Sequence, residues 1–191
     1  LFSLLCRSPK PQASSPKPKM DPVKSHYYSA HATALRAELG QAVSLEDFRG
    51  KALAWTFIFT RCPIPEYCPR LSRNFEMAQQ ELKAMKNGPT NWHLLSVTFD
   101  PANDTPEVLK PYTTAFDPSF LRLSGDAAQT AEVAKEFRVA YTRVPTGSSY
   151  TIDHSALSYL IDPQGRLRVA LRHEQSAADY AADVQQLLRA G

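Results

Sequence analysis

The chain has 191 residues, 43% of them apolar, enough for one domain of ordinary size with a buried core. Its formal charge is +3, but Arg7, Lys10, Lys17, Lys19 and Lys24 against Asp21 put +4 into the first 25 residues and leave −1 for the rest. A folded part that near neutrality lacks the basic face of a nucleic-acid-binding domain, and three cysteines are too few for the disulfide framework of a small secreted protein.

The opening "LFSLLC" is apolar but too short to span a bilayer. It reads as the remnant of an export signal or membrane anchor. Cys6 is either an ordinary thiol or a lipid attachment point, although Leu5 is bulkier than the small residue such cleavage sites favour. Residues 1–26, rich in Pro, Ser and Lys, read as a disordered, stiff, basic spacer. The folded domain is expected over 27–191.

"ALRAELGQAVSL" predicts an N-terminal β-hairpin around Gly40-Gln41, and "LEDFRGK" a turn ending at Gly50. "ALAWTFIFT" (52–60) is a near-continuous apolar run, the pattern of a strand covered on both faces. A helix follows over 69–88, with Leu71, Phe75, Ala78, Leu82 and Met85 at helical spacing and Asn87-Gly88 as its stop. "WHLLSVTFD" is a second buried strand. Thr105 then caps a helix that Pro106 and Glu107 suit at its start, and Pro111 should kink or split it. Strand "FLRLSG", helix "DAAQTAEVAKEFRV" and the hairpin-like excursion "YTRVPTGSSYTID" come next. "HSALSYLIDPQGRLRVALR" reads as strand, turn, strand, and a helix capped by Ser176 closes the chain. Such alternation is an α/β fold with a central mixed sheet flanked by helices. A strand ending in a cysteine motif that opens a helix is a thioredoxin-like arrangement, with its site at the strand's C-terminal edge.

"RCPIPEYCP" carries Cys62 and Cys68 at that edge, in a loop stiffened by Pro63 and Pro65. With Pro69 suited to the first helical position, Cys68 falls near the N-cap, where free N–H groups and the helix dipole lower a thiol pKa. Three chemistries fit: a structural disulfide, a redox dithiol, or a soft-metal site for Cu(I) or Zn(II). Four-cysteine zinc is excluded within one chain. A metal needs a third ligand. Of the five histidines, His26 and His31 sit at the junction with the tail, while His93 and His173 bound strands as packed or solvated residues. His154 differs, lying after the long excursion at the start of a strand, on the cysteines' side of the sheet. Asp153 and Asp100 are candidates to orient such a site, although Asp100 also suits a turn before Pro101.

"FIFTRCPIPEYCP", "LLSVTFDPANDTPEVLKPYTTAF" and "IDHSALSYLIDPQGRL", in that order, resemble the Sco/SenC family of thioredoxin-like copper proteins of cytochrome c oxidase assembly, from about Val43 to the C-terminus. The resemblance implies one copper, as Cu(I) or Cu(II), held by Cys62, Cys68 and His154. It also implies a partner such as cytochrome c oxidase subunit II or another copper or thiol protein, and a place on the periplasmic side of a bacterial inner membrane, reached through an N-terminal anchor. The usual family motif has three residues between the cysteines; here there are five, "PIPEY". A longer loop costs little entropy and can bulge outward while still bringing the sulfurs together. The alternative from a different class is a thiol–disulfide oxidoreductase, with Cys62 and Cys68 as its redox-active pair. A lower pKa at Cys68 would favour it.

Overall fold

The computed structural model describes residues 35–37, 41–114 and 121–189. The expected spacer over 1–26, with Cys6, His26 and His31, lies outside the described residues. A seven-stranded mixed sheet runs in the order β2 (Ala42–Val43), β1 (Leu35–Ala37), β5 (Leu121–Ser124), β4 (Trp92–Thr98), β3 (Ala52–Ile58), β8 (Leu157–Ile161) and β9 (Leu167–Arg172). The three central strands β3, β4 and β5 are parallel, and the outer strands join antiparallel. Four helices accompany the sheet among the described residues: α1 (Cys68–Ala84), α2 (Pro106–Thr114), α3 (Ala127–Glu136) and α4 (Ala177–Arg189). The segment 45–48 is a single 3₁₀ turn. A separate antiparallel ribbon, β6 (Tyr141–Thr146) and β7 (Ser149–His154), is the excursion that the sequence places before the histidine. Gly147, at φ +63°, opens its two-residue turn. The architecture is thioredoxin-like.

Strand β3 earns its central place by composition. All seven of its residues are buried. Alternation sends Ala52 and Ala54 to one face, where their small side chains admit α1 and α4 through Phe75, Ala78, Leu82, Tyr180 and Val184. Leu53, Trp55 and Phe57 go to the other face, against Val133 and Phe137 of the α3 region. Trp55 stacks on Phe137 with centroids 5.1 Å apart, and Phe57 stacks on Phe99 at 5.0 Å. Helix α1 begins one residue earlier than expected and ends at Ala84, because Asn87 turns to φ +58° and Gly88 passes so close that a Cβ would lie 2.7 Å from that of Met85. Pro111 does not split its helix: α2 continues to Thr114, and only the bond that its missing N–H would give to Glu107 is forfeited. The cap expected at Ser176 forms, and the structure adds a second one at Asp126. Asp126 accepts from the Gln129 N–H at 2.8 Å, and Ser176 accepts from the Asp179 N–H at 3.2 Å.

Phe57 therefore ties sheet, α3 region and site together. Phe57→Ala should cost about 3–5 kcal/mol of unfolding free energy, the usual range for deleting a buried phenylalanine. Urea unfolding followed by circular dichroism would read this as a lower midpoint at unchanged slope.

Candidate metal centre

Cys62, Cys68 and His154 reach one place from three elements. Cys68 is the first residue of α1 and is fully buried. Cys62 lies in the loop after β3 and is half-buried, and both thiols are free. The five residues between them do not stay extended. The Tyr67 N–H donates to the Ile64 carbonyl at 3.1 Å and the Arg70 N–H to that of Pro65 at 3.1 Å, so the added length is taken up in a turn. Ile64 and Tyr67 ride on that turn, exposed at 42% and 37%. The expected outward bulge is what the chain adopts. Tyr67 also packs edge-on against His173, 4.7 Å between centroids, which ties the loop to the end of β9.

His154 is the last residue of β7, not the first of β8 as its sequence position implied. Its ring is held on three sides. Phe99 lies 4.8 Å away and Phe59 5.8 Å away, centroid to centroid. Nδ1 stands 3.1 Å from the Ser155 carbonyl. A carbonyl only accepts, so Nδ1 carries the proton and, in the neutral ring, Nε2 presents its lone pair. That Nε2 lies 3.4 Å from the Cys68 sulfur. Asp153, by contrast, is exposed on the other side of the ribbon, as strand alternation requires, and does not join the site.

The thiols are unequal, and in the opposite sense to the expectation from helix position. A hydrogen bond from Cys68 pulls the Cys62 thiol down to about 4, with smaller help from His154 and from the Ile64 and Cys68 backbone. The same hydrogen bond, given away, and then burial push Cys68 up. Cys62 sits outside the helix, and of the helix-start backbone only Cys68 is among the groups that lower it. The Cys62 sulfur also lies 3.7 Å from the Ile64 carbonyl. The trio is close-packed without being a finished cage. Among the described residues, no group of three or more His, Cys, Asp or Glu side chains already stands arranged to hold a metal ion.

Two buried carboxylates stand at the same edge of the sheet: Asp104, which sequence reasoning passed over, and Asp100, which it offered as a candidate to orient the site. Asp104 accepts from the Thr60 N–H, 3.0 Å, and from the hydroxyls of Thr60 and Thr98. Asp100 does form the expected turn, its carbonyl accepting the N–H groups of Asn103 and Asp104. Its fully buried carboxylate, however, meets Arg61, Arg143 and Tyr150. The one signal for it was an acid at the C-terminal edge of a buried strand.

The SCO1/SenC family model matches residues 29–189. The chain belongs to that family. A SCO2-like protein of Rickettsia prowazekii is 34% identical over 130 residues, 66% of this chain and 61% of its own length, so the chain spans about three fifths of that relative. The structure of Bradyrhizobium japonicum ScoI with copper bound is 31% identical, with a TM-score of 0.68, over 81% of this chain and 96% of that one. BsSco, described as a member of the Sco family of cytochrome c oxidase assembly proteins with a disulfide switch, is 26% identical, with a TM-score of 0.69, over 90% and 98%. The family match begins ahead of Val43, where the resemblance read from the three Sco/SenC blocks starts.

Exposure and the thiol shifts together order the two cysteines of this Sco/SenC chain. In the reduced protein, iodoacetamide should label Cys62 well before Cys68. The Cys62 rate should be flat from about pH 5.5 to 8, where an ordinary thiol of pKa about 8.5 gains roughly tenfold per unit. Peptide mass spectrometry reads both. Cys68 labelled first in the folded protein would contradict the arrangement.

Proposed function

We propose that this chain carries copper: Cys62, Cys68 and His154 bind one ion and pass it by ligand exchange to a partner in cytochrome c oxidase assembly. The observation that carries the reading is the contact of His154 Nε2 with the Cys68 sulfur, at 3.4 Å, with the other ring nitrogen committed to Ser155. Two sulfurs and an imidazole form a soft donor set suited to Cu(I), and Cu(II) would add an oxygen ligand. The chain's own residues supply the rest. Cys62 is held as thiolate, Cys68 must lose its proton as the metal enters, and Phe59 and Phe99 fix the imidazole. The copper-bound state of the Bradyrhizobium neighbour and the family membership support the same assignment. Subunit II of the oxidase is the partner that this reading implies. The folded part then works on the periplasmic face of a bacterial inner membrane, tethered through its N-terminal segment.

A second reading, favoured by the free and unequal thiols, is reduction of a partner disulfide. The Cys62 thiolate would attack a partner sulfur and expel the other as thiolate. Cys68, giving up its proton, would then attack Cys62 in the mixed disulfide and release the second partner thiol, two electrons passing to the partner. His154 separates the readings, because exchange does not need it.

Titrating the fully reduced protein with Cu(I) against a competing chelator should give one tight copper per chain. The Cys62→Ser/Cys68→Ser double variant should show none, and His154→Ala binding weaker by at least about tenfold, or 1.4 kcal/mol. Wild-type binding no better than the double variant would leave a redox pair.

A further inference from the structure

The side chains that would bind copper come from two segments far apart in sequence, the loop of Cys62 and the ribbon that ends in His154. One buried carboxylate touches both. Asp100 Oδ2 accepts from Arg61 Nη2 at 2.9 Å, and Arg61 is the residue before Cys62. Asp100 Oδ1 accepts from Arg143 Nη2 on β6 at 3.3 Å. The Tyr150 hydroxyl on β7 donates across both oxygens, at 2.7 and 2.8 Å. The Tyr150 ring also takes both guanidiniums, Arg61 at 4.4 Å and Arg143 at 3.8 Å from its centroid. Strand alternation puts Tyr150, Ile152 and His154 on one face of β7, and Arg143 pairs across the ribbon with Ile152. The face that grips Asp100 is therefore the face that presents the imidazole.

We propose that Asp100 is a positioning residue: with Arg61, Arg143 and Tyr150 it clamps the His154 ribbon to the Cys62 loop and so sets the separation of those two side chains. This rests on the copper reading above for its purpose, though not for its geometry. Side chains fasten the ribbon: Ile152 is in the core, Tyr141 stacks on Phe99 at 4.9 Å, and Asp100 adds the polar hold. The ribbon's two strands pair only with each other, outside the seven-stranded sheet, and most of β6 is exposed. Asp100 itself cannot drift, because its N–H is held by the Thr98 hydroxyl at 2.9 Å and its carbonyl is fixed in the turn. Burial and the bond it gives to Asp100 push the Tyr150 hydroxyl up, which keeps it a donor. The wider cysteine loop makes the arginine hold more necessary, since a longer loop has more conformations to suppress.

The test uses the full chain with Asp100→Asn, Asp100→Ala, Tyr150→Phe and Arg143→Gln. The last alters a side chain 56% exposed and should leave folding intact even if the buried variants do not fold. In the reduced, copper-free protein, amide exchange across residues 141–154 should quicken by about tenfold or more in Asp100→Ala and less in Arg143→Gln, with α1 and α4 unchanged. Loaded with Cu(II), Asp100→Ala should show an altered sulfur-to-copper absorption band and paramagnetic resonance spectrum, and Asp100→Asn, which keeps an oxygen for Tyr150, should recover part of the wild-type signal. Unchanged ribbon exchange in every folded variant overturns the clamp. So do wild-type spectra throughout. A wild-type chain that binds no copper overturns the copper reading instead, and the exchange measurement still decides the clamp.

Discussion

Asp104 is wholly buried and never touches the cysteines, yet the site hangs on it. Its carboxylate accepts from the Thr60 backbone and hydroxyl, from Thr98 and from the Asn103 amide, whose nitrogen lies at 2.8 Å. A carboxylate out of water costs several kcal/mol unless donors meet it on every side. Here four do, and they come from the ends of two adjacent parallel strands and the turn that follows. The network therefore fixes how the chain leaves β3. Two residues beyond Thr60 stands Cys62, so its backbone starts from a pinned point. Asp100, four residues before Asp104, continues the same work outward to the ribbon. The sheet's edge is thus built from two carboxylates, one gathering hydroxyls and the other guanidiniums.

The thiols differ first through the hydrogen bond between them and then through burial. Cys68 is inside the core at the start of α1, and ionising it would put charge among Leu, Phe and Val side chains. Cys62 is half-buried in the loop ahead of that helix. One hydrogen bond between them then lowers the outer thiol and raises the inner one. Sequence spacing reported that a helix start lies beside the pair. It could not report which thiol the bond between them would lower, because the five intervening residues decide the direction by folding into a turn.

Much of the fold was legible. Seven consecutive buried residues in β3, the helical repeat from Leu71 to Leu82 and the cap at Ser176 are local signals, and local physics decides them. His154 was legible as the odd histidine, although its place at the end of β7 was not, since a strand and its exit share one composition. The Asp100 cluster was out of reach. Its partners lie 39, 43 and 50 residues away, and an arginine or tyrosine carries no mark in the sequence of the carboxylate it will meet. Pro111 offered a kink or a split, and the helix is not split. One missing bond matters little when Leu109, fully buried beside it, holds the helix to the sheet.

The three side chains differ in how firmly they are held, and that ranking bears on how cargo would move. Cys68 is fixed by the core and by the helix. His154 is fixed by Ser155 and two aromatic rings. Cys62 stands on a turn in the loop, half-buried, and no helix or strand holds it. Ligand exchange proceeds through the ligand that can be replaced with least disturbance, so on the copper reading an incoming partner thiolate displaces Cys62 first. The same ranking would start disulfide exchange at Cys62, with Cys68 waiting behind it. Both chemistries thus use one gradient from a loose outer sulfur to a rigid inner one. Only the imidazole breaks the tie. A ring held in one tautomer, lone pair toward a buried sulfur, is what a third metal ligand requires, whereas thiol exchange can proceed without it.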